Sequence, residues 1–153
     1  MGTPTTVAIA LGTNVGDRRA HLDYAISQLG NLLAHLTVSR FHDTVPVGVS
    51  GPQPVFLNAA VVGQTMMSAR ALLDTLLAIE RARGRERPYA KAPRTLDLDL
   101  ILFGDVVIDE PGLTVPHPRF RERGFVLGPL AEIAPTLVDP VTQKSVTELI
   151  AEL

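Results

Sequence analysis

The sequence contains no cysteine, and the first exclusions follow from that absence. A disulfide-bonded scaffold and a thiolate metal site are both ruled out. Aromatic residues are few, with five Phe, two Tyr and no Trp, which argues against a surface that stacks nucleic-acid bases. The formal net charge is −2, so a broad basic face is not expected either. We therefore expect no nucleic-acid partner.

Long apolar runs are also missing. No stretch approaches the roughly 20 residues that a membrane-spanning helix needs, and residues 1–6 lack the start of a secretory signal. We therefore expect a cytoplasmic protein with no membrane partner. The 153 residues are 46% hydrophobic, which is enough for a substantial core, and no repeat or linker divides them. The expected organisation is a single domain over residues 1–153.

Basic residues are concentrated in one part of the chain. Of the 14 Lys and Arg residues, nine lie in this part: Arg81, Arg83, Arg85, Arg87, Lys91, Arg94, Arg119, Arg121 and Arg123. A solvated basic surface is the ordinary interpretation of such a cluster. Here it brackets Asp97 and Asp99, and that placement favours a site for a polyanion.

The hydrophobic pattern predicts alternating strands and helices. Helical spacing predicts one helix through residues 22–29, C-capped by Gly30, and a second through residues 72–80, N-capped by Ser68. Strands are expected at residues 7–11, 37–42, 56–63 and 95–103, with loops at residues 12–17, 45–54 and 81–93. The order is the β-α-β-β-α-β pattern of a ferredoxin-like α+β fold, an antiparallel sheet with helices packed on it.

Extra elements are expected after the last of these strands. Residues 106–108 are predicted to form a hairpin with the preceding strand across Gly104 and Asp105. Residues 123–133 are predicted to be helical, and Ser145 with Glu148 forms a capping box for a C-terminal helix.

Asp97 and Asp99 are the most informative pair of residues. Side chains two apart on a strand share a face, with Cα atoms roughly 6.6 Å apart. Two neighbouring acids stay ionised most easily with a cation between them, and paired carboxylates suit Mg²⁺. Solvated acids on an edge strand are the alternative. Leucines at 96, 98, 100 and 102 instead predict a central strand with one buried face.

Six blocks of sequence together resemble one enzyme family, and the resemblance runs from Val7 to about Val138. The blocks are residues 11–17 (LGTNVGD), 44–48 (TVPVG) with 56–61 (FLNAAV), 79–80 with 84–85, 91–101 (KAPRTLDLDLI), 113–117 (LTVPH) and 123–127 (RGFVL). They resemble the 6-hydroxymethyl-7,8-dihydropterin pyrophosphokinases of folate biosynthesis.

The resemblance implies a transferase that moves the terminal pyrophosphoryl group of ATP to the pterin hydroxymethyl oxygen and releases AMP. It also implies two Mg²⁺ ions held by Asp97 and Asp99, with ATP as co-substrate. The expected partners are these small molecules, and the expected oligomeric state is a monomer.

The resemblance also implies a role for each matching residue. The catalytic set would be Arg85 and Arg87 of a mobile loop, Arg94, and the two acids. Contacts to ATP would come from the same three arginines and from Leu73, Leu77, Glu80, Leu98, Thr114, His117 and Arg123. The pterin would meet Thr44, Val45, Val47, Phe56, Asn58 and Phe125, with the two rings enclosing it and Asn58 binding its edge.

Taken one at a time, these residues have ordinary explanations. Phe56 and Phe125 could be core aromatics, Asn58 a satisfied buried amide, and His117 a surface loop residue. The chain also departs from the family pattern. Lys91 stands where many members carry Trp, and Gly112 stands where Arg is frequent. We expect these changes to weaken ATP binding without changing the reaction. A metal-dependent nucleotidyl transferase or hydrolase and a non-catalytic RNA-binding module are the rival hypotheses.

Overall fold

The computed structural model describes residues 2–44, 55–84 and 95–153. Its main sheet is antiparallel, in the order β2-β4-β1-β5, and β3 also pairs with β4. This is the strand order of a ferredoxin-like fold, so the predicted fold class is confirmed. The strands are β1 (Thr5–Thr13), β2 (Ala34–Val38), β3 (His42–Thr44), β4 (Phe56–Thr65) and β5 (Asp97–Phe103).

Helices cover both faces of this sheet. Helices α1 (Arg18–Leu32) and α2 (Ala69–Gly84) pack on one face, where their buried residues join those of β1, β4 and β5. Helices α3 (Gly124–Ile133) and α4 (Val146–Ala151) pack on the other face with a 3₁₀ turn at Phe120–Glu122. A small hairpin of β6 (Ile108–Glu110) and β7 (Leu113–Val115) completes the described elements.

Local capping signals predict some helix ends correctly. The Ser68 hydroxyl accepts a hydrogen bond from the Ala71 amide at 3.1 Å, and both hydrogen bonds of the Ser145–Glu148 capping box form. The prediction that Gly30 caps α1 is wrong. The helix continues to Leu32 because Leu29 and Leu33 are buried against the sheet, and this packing outweighs the low helix propensity of glycine.

A register shift in β5 changes which face its last residues occupy. Leu100 pairs with Ile9 but Leu102 pairs with Ala8, so Ile101 is an extra residue between them. An extra residue reverses the alternation of the side chains that follow it. Leu102 therefore packs on the α3 side, and the prediction that it shares the face of Leu98 and Leu100 is wrong.

Four other predictions needed correction. β5 is an edge strand rather than a central one, since in the described sheet it pairs only with β1. Residues 108–110 pair with β7 rather than with β5. The single strand predicted at 37–42 is two strands, and residues 81–84 belong to α2. The loop predictions at 45–54 and 85–93 lie outside the described residues.

Within residues 2–44, 55–84 and 95–153, no helix is both long and apolar enough to cross a membrane.

Candidate active site

A row of residues crosses the sheet on the face that carries α3. Asp97 on β5 lies opposite Gly12 on β1, Gly12 lies opposite Asn58 on β4, and Asn58 lies opposite His42 on β3. Residues directly opposite in antiparallel strands point to the same face. The predicted metal ligand and the predicted pterin-binding amide therefore face the same side of the sheet, separated by one glycine.

Gly12 has a specific steric role in this row. A Cβ atom on this residue would lie 2.9 Å from the Asn58 Oδ1 atom, closer than carbon and oxygen normally approach. Asn58 is 6% exposed, and its amide nitrogen donates a hydrogen bond to the Thr44 hydroxyl. The predicted loop at residues 12–17 therefore begins two residues too early, because Gly12 and Thr13 belong to β1. A glycine inside a strand often marks such a close approach, and this was the available signal.

Asp99 lies one step along the same face. It pairs with Ala10, which pairs in turn with Ala60, so only small side chains stand beside it. Both acids are half-buried. The acids therefore lie at the rim of the sheet, and their neighbours along the row on β1 and β4 include small residues that are packed under α3.

A pocket of about 310 Å³ wraps around the exposed edge of β5. That volume is at the lower end of the range for small-molecule sites. The pocket can reach residues from both faces of the strand only because β5 is an edge. Six residues predicted to surround ATP line it together with Asp99: Leu73, Leu77, Glu80, Leu98, Thr114 and His117.

Glu80 joins α2 to this edge. Its Oε2 atom accepts a hydrogen bond from the Leu98 amide at 2.6 Å. That amide points away from β1, toward the side where a central strand would have a neighbour. The helix residue thus satisfies a backbone donor that the edge position would otherwise leave unpaired.

His117 stands where the pocket meets the acid pair. Its backbone amide donates to the Ile101 carbonyl at 2.9 Å, and its Nδ1 atom accepts from the Arg119 amide at 3.2 Å. Burial lowers the pKa of His117; Asp99 opposes this, while Arg123 and Arg119 add to it. One acid and two cations therefore surround this imidazole.

The remaining predicted residues lie on the α3 side or outside the described chain. Arg123 precedes α3 and lies 5.6 Å from the ring centre of Phe125, which is 39% exposed. Phe56 is half-buried and lies on the same face of β4 as Asn58. Arg85, Arg87, Arg94, Val45 and Val47 lie outside the described residues, as does Lys91.

The side chains around Asp97 and Asp99 indicate which metal ion the acid pair could hold. Among the described residues, no group of three or more His, Cys, Asp or Glu side chains could by itself enclose a metal ion. Two carboxylates would leave most coordination positions to water and substrate oxygens. This donor set fits Mg²⁺, which keeps several waters and binds through one or two carboxylates and phosphates.

The sequence analysis did not predict the contacts of two carboxylates, those of Glu132 and Asp139. Glu132 on α3 accepts hydrogen bonds from the Arg40 amide at 3.0 Å and its guanidinium at 3.3 Å, and its Oε2 atom lies 2.5 Å from His42 Nε2. Asp139 accepts two hydrogen bonds from the guanidinium of Arg121, which lies 18 residues earlier in the chain. No local pattern predicts either contact, because the partners are far apart in sequence.

The fold and the site define a class of protein. It is a ferredoxin-like α+β domain with paired carboxylates on an edge strand. The cleft beside them is lined mostly by apolar side chains together with Glu80, Asp99 and His117, an arrangement that suits metal-assisted transfer of a charged phosphate group.

Comparisons with known proteins identify the family. The model of the 7,8-dihydro-6-hydroxymethylpterin-pyrophosphokinase family matches residues 8–135. A Synechocystis protein named 2-amino-4-hydroxy-6-hydroxymethyldihydropteridine pyrophosphokinase is 43% identical over 146 residues, covering 95% of this chain and 74% of that protein. A Bacillus subtilis protein of the same name is 45% identical over 127 residues, covering 82% of this chain and 75% of its own.

Solved structures agree on the fold. A crystal structure of an HPPK-DHPS in complex with substrates covers 98% of this chain with a TM-score of 0.78 and 15% identity. The Plasmodium falciparum HPPK-DHPS covers 98% with a TM-score of 0.76 and 13% identity. This chain spans 43% and 41% of those chains.

The chain belongs to the 7,8-dihydro-6-hydroxymethylpterin-pyrophosphokinase family. It is a transferase of folate biosynthesis that moves pyrophosphate from ATP to hydroxymethyldihydropterin, as the sequence resemblance predicted.

Proposed function

We propose that this chain transfers pyrophosphate at the β5 edge, with Asp97 and Asp99 holding two Mg²⁺ ions. One observation carries the proposal: the pocket brings together six predicted ATP-contacting residues and Asp99 around this edge. ATP occupies that pocket, with its phosphates directed toward the acid pair. When bound, Mg²⁺ would neutralise part of the negative charge on the phosphates of ATP.

The pterin binds on the α3 side of the sheet. Asn58 presents its amide to the pterin edge, and Thr44 holds that amide in place through its hydroxyl group. Phe56 and Phe125 are both on this side and supply ring contacts. The backbone of Val45 and Val47 completes the pterin contacts. The row Asp97–Gly12–Asn58 then sets the spacing between the two substrates.

The reaction needs no covalent enzyme intermediate. The hydroxymethyl oxygen bonds to the β-phosphorus of ATP while the bond from that phosphorus to the α-phosphate oxygen breaks, which releases AMP. His117 and Arg123 bind the triphosphate from the α3 side, and Arg85, Arg87 and Arg94 contribute further positive charge. Positioning and charge stabilisation supply most of the rate enhancement for such transfers.

The direct test is incubation of the protein with MgATP and 6-hydroxymethyl-7,8-dihydropterin, followed by chromatographic separation of the nucleotides. We expect AMP and the pterin diphosphate in equal amounts. Release of free pyrophosphate with a nucleotidylated product, or of ADP, would contradict the proposal and favour a different phosphate-transfer reaction.

We further propose that residues 1–153 form one domain that acts as a cytoplasmic monomer on small molecules. Support for a single domain comes from the main sheet, which has a hydrophobic core on each face. Light scattering of the eluted protein should give about the chain mass of 16.4 kDa.

A further inference from the structure

Residues 117–123, here named the arginine turn, carry three arginines past the acid pair. Arg119, Arg121 and Arg123 alternate along it, following His117. Two of them, Arg119 and Arg123, are electrostatic neighbours of His117 together with Asp99. The third, Arg121, instead binds a carboxylate from the C-terminal segment of the chain.

That carboxylate belongs to Asp139, whose side chain is fully buried. Its two oxygens lie 2.5 Å from Arg121 Nε and 3.0 Å from Arg121 Nη2, which is a bidentate ion pair. The Val141 amide and the Thr142 hydroxyl donate to the same carboxylate at 3.0 and 2.7 Å. Each oxygen of this buried acid therefore accepts two hydrogen bonds.

The arginine turn has little internal rigidity of its own. Its hydrogen bonds are of the 3₁₀ type, with the Phe120 amide 3.4 Å from the His117 carbonyl and the Arg123 amide 3.2 Å from the Phe120 carbonyl. Such bonds have poorer geometry than those of an α-helix, so tertiary contacts must fix the turn. Three closely spaced cations also repel one another unless a counter-charge lies nearby.

Two tertiary contacts fix the turn, one near each end. The His117 amide donates to the Ile101 carbonyl on β5, which ties the first residue to the strand of the acid pair. The Arg121–Asp139 pair ties the later part to the C-terminal segment, and the Arg121 guanidinium also lies 4.9 Å from the ring centre of the buried Phe120. Asp139 lies beyond residues 8–135, which the family model matches.

We propose that Asp139, acting through Arg121, is a positioning residue for ATP: it holds the arginine turn so that His117, Arg119 and Arg123 meet the phosphates. The inference rests on the proposed function of the pocket. Neither Asp139 nor Arg121 needs to touch a substrate. Because Asp139 holds Arg121 away from the site, the turn keeps Arg119 and Arg123 in fixed positions beside it.

The test compares Asp139→Asn and Arg121→Gln with the wild type. Asp139→Asn keeps the shape of the side chain but removes its charge, and Arg121→Gln leaves Asp139 bound to Val141 and Thr142. Calorimetry with the Mg²⁺ complex of α,β-methylene ATP should show binding weaker by about tenfold in either variant, which corresponds to about 1.4 kcal/mol, because displaced arginines lose part of their contact with the phosphates. The KM for the pterin should remain at the wild-type value.

A matched control separates positioning from general loss of stability. Ser145→Ala removes the cap of α4 in the same C-terminal segment without touching Arg121. It should lower the melting temperature but leave binding of the ATP analogue unchanged. Arg121→Lys, which keeps the charge, should recover part of the affinity.

Two results would overturn the inference. One is wild-type affinity for the analogue in whichever of the two variants folds. The other is an equal loss of affinity in Ser145→Ala. If the wild type itself forms no AMP, the proposed reaction has failed, whereas the comparison of analogue binding still decides whether Asp139 positions the turn.

Discussion

Asp97 and Asp99 are the two residues on which the proposed metal site depends. They share one face of β5, where their partners on β1 are Gly12 and Ala10. Their charges repel each other, and a divalent cation with phosphate oxygens relieves that repulsion. In the reaction proposed above, the pair would bring a metal to the phosphates, and arginines would supply further positive charge.

Replacing either acid by its amide tests this role. Asp97→Asn or Asp99→Asn should reduce AMP formation by at least about 100-fold, because removing one group that stabilises transition-state charge in an enzyme has effects of that order. Circular dichroism should show an intact fold. Asp105→Asn is a suitable control, since Asp105 is exposed in the turn after β5 and should retain full activity. Substantial activity in both acid variants would exclude the metal site proposed here.

Gly12 is the second residue whose identity matters. A methyl group there would press on the Asn58 amide oxygen, so Gly12→Ala must displace Asn58 or separate β1 from β4. We expect destabilisation of about 1–3 kcal/mol, together with a higher KM for the pterin. Thermal melting and steady-state kinetics with each substrate varied would measure both effects.

Gly128 provides a control for Gly12→Ala, because its surroundings have room for a methyl group. A Cβ on Gly128 in α3 would meet nothing within 4 Å, so Gly128→Ala should stabilise the protein by about 0.5–1 kcal/mol. An unaltered pterin KM in Gly12→Ala would show that Asn58 does not need its observed position.

At the scale of elements, the edge position of β5 allows the site to exist. A central strand has its backbone groups paired on both sides, and its neighbours would fill the space that the pocket occupies. Here α2 contacts the open edge through Glu80, and the turn before α3 contacts it through His117. Two elements from opposite faces of the sheet thus meet at one strand edge.

The α1–α2 contact is a second relation between elements, and it depends on pH. The Arg83 Nε atom donates to His21 Nδ1 at 2.8 Å, and the Arg83 guanidinium also lies 4.9 Å from the ring centre of Tyr24. Burial lowers the pKa of His21 and so does Arg83, while Asp17 and a backbone hydrogen bond at Val15 act in the opposite direction. The neutral imidazole is the form that can accept the hydrogen bond from Arg83.

The sign of the pH effect follows from that lowered pKa. The unfolded chain takes up a proton at His21 before the folded protein does, so the free energy of unfolding falls as the pH falls below about 6.5. Urea denaturation at pH 7.5 and pH 5.5 should therefore show a larger loss for the wild type than for His21→Gln or Arg83→Gln. The same loss in all three proteins would mean that this contact does not link pH to stability.

At the scale of the whole molecule, the sheet separates two hydrophobic cores. The core under α1 and α2 contains most of the large residues of β1, β4 and β5, whereas the core under α3 and α4 meets mainly alanines of the sheet. Small residues let α3 approach the sheet closely next to the acid pair. The second core thus serves both stability and placement of the site, and the C-terminal segment belongs to it.

Asp139 connects this second core to acid stability. Burial alone would raise the pKa of Asp139, but the hydrogen bonds from Arg121, Thr142 and the Val141 amide outweigh it and lower the pKa to about 2. The carboxylate therefore stabilises the fold above pH 3.8, and this contribution is lost as the pH falls toward 2. The full difference amounts to about 2 kcal/mol.

Denaturation curves between pH 4.5 and pH 2 measure this contribution. Asp139→Asn should be less stable than the wild type at pH 4.5, and the difference between the two proteins should shrink toward pH 2. A difference that stays constant with pH would show that the charge of Asp139 does not contribute to stability.

The sequence by itself determined the order of elements, the fold class and the family. Those features depend on local periodicity and on short motifs, such as the alternation through Asp97 and Asp99 or the Ser145 capping box, and each is readable within a few residues. The resemblance to the family implied that Leu73, Glu80 and Thr114 lie around one substrate; all three line the pocket, and their roles stay predictions. The local pattern gave no reason to expect that Leu102 would change faces.

Only the tertiary structure decided that β5 is an edge, that Gly12 separates Asp97 from Asn58, and that Asp139 binds Arg121. Each of these results from pairing between segments far apart in the chain. The energy of such pairing depends on which strands become neighbours and how closely their side chains pack. No local pattern encodes that choice, because the same leucine-rich strand could satisfy its hydrophobic face at the centre or at the edge of a sheet.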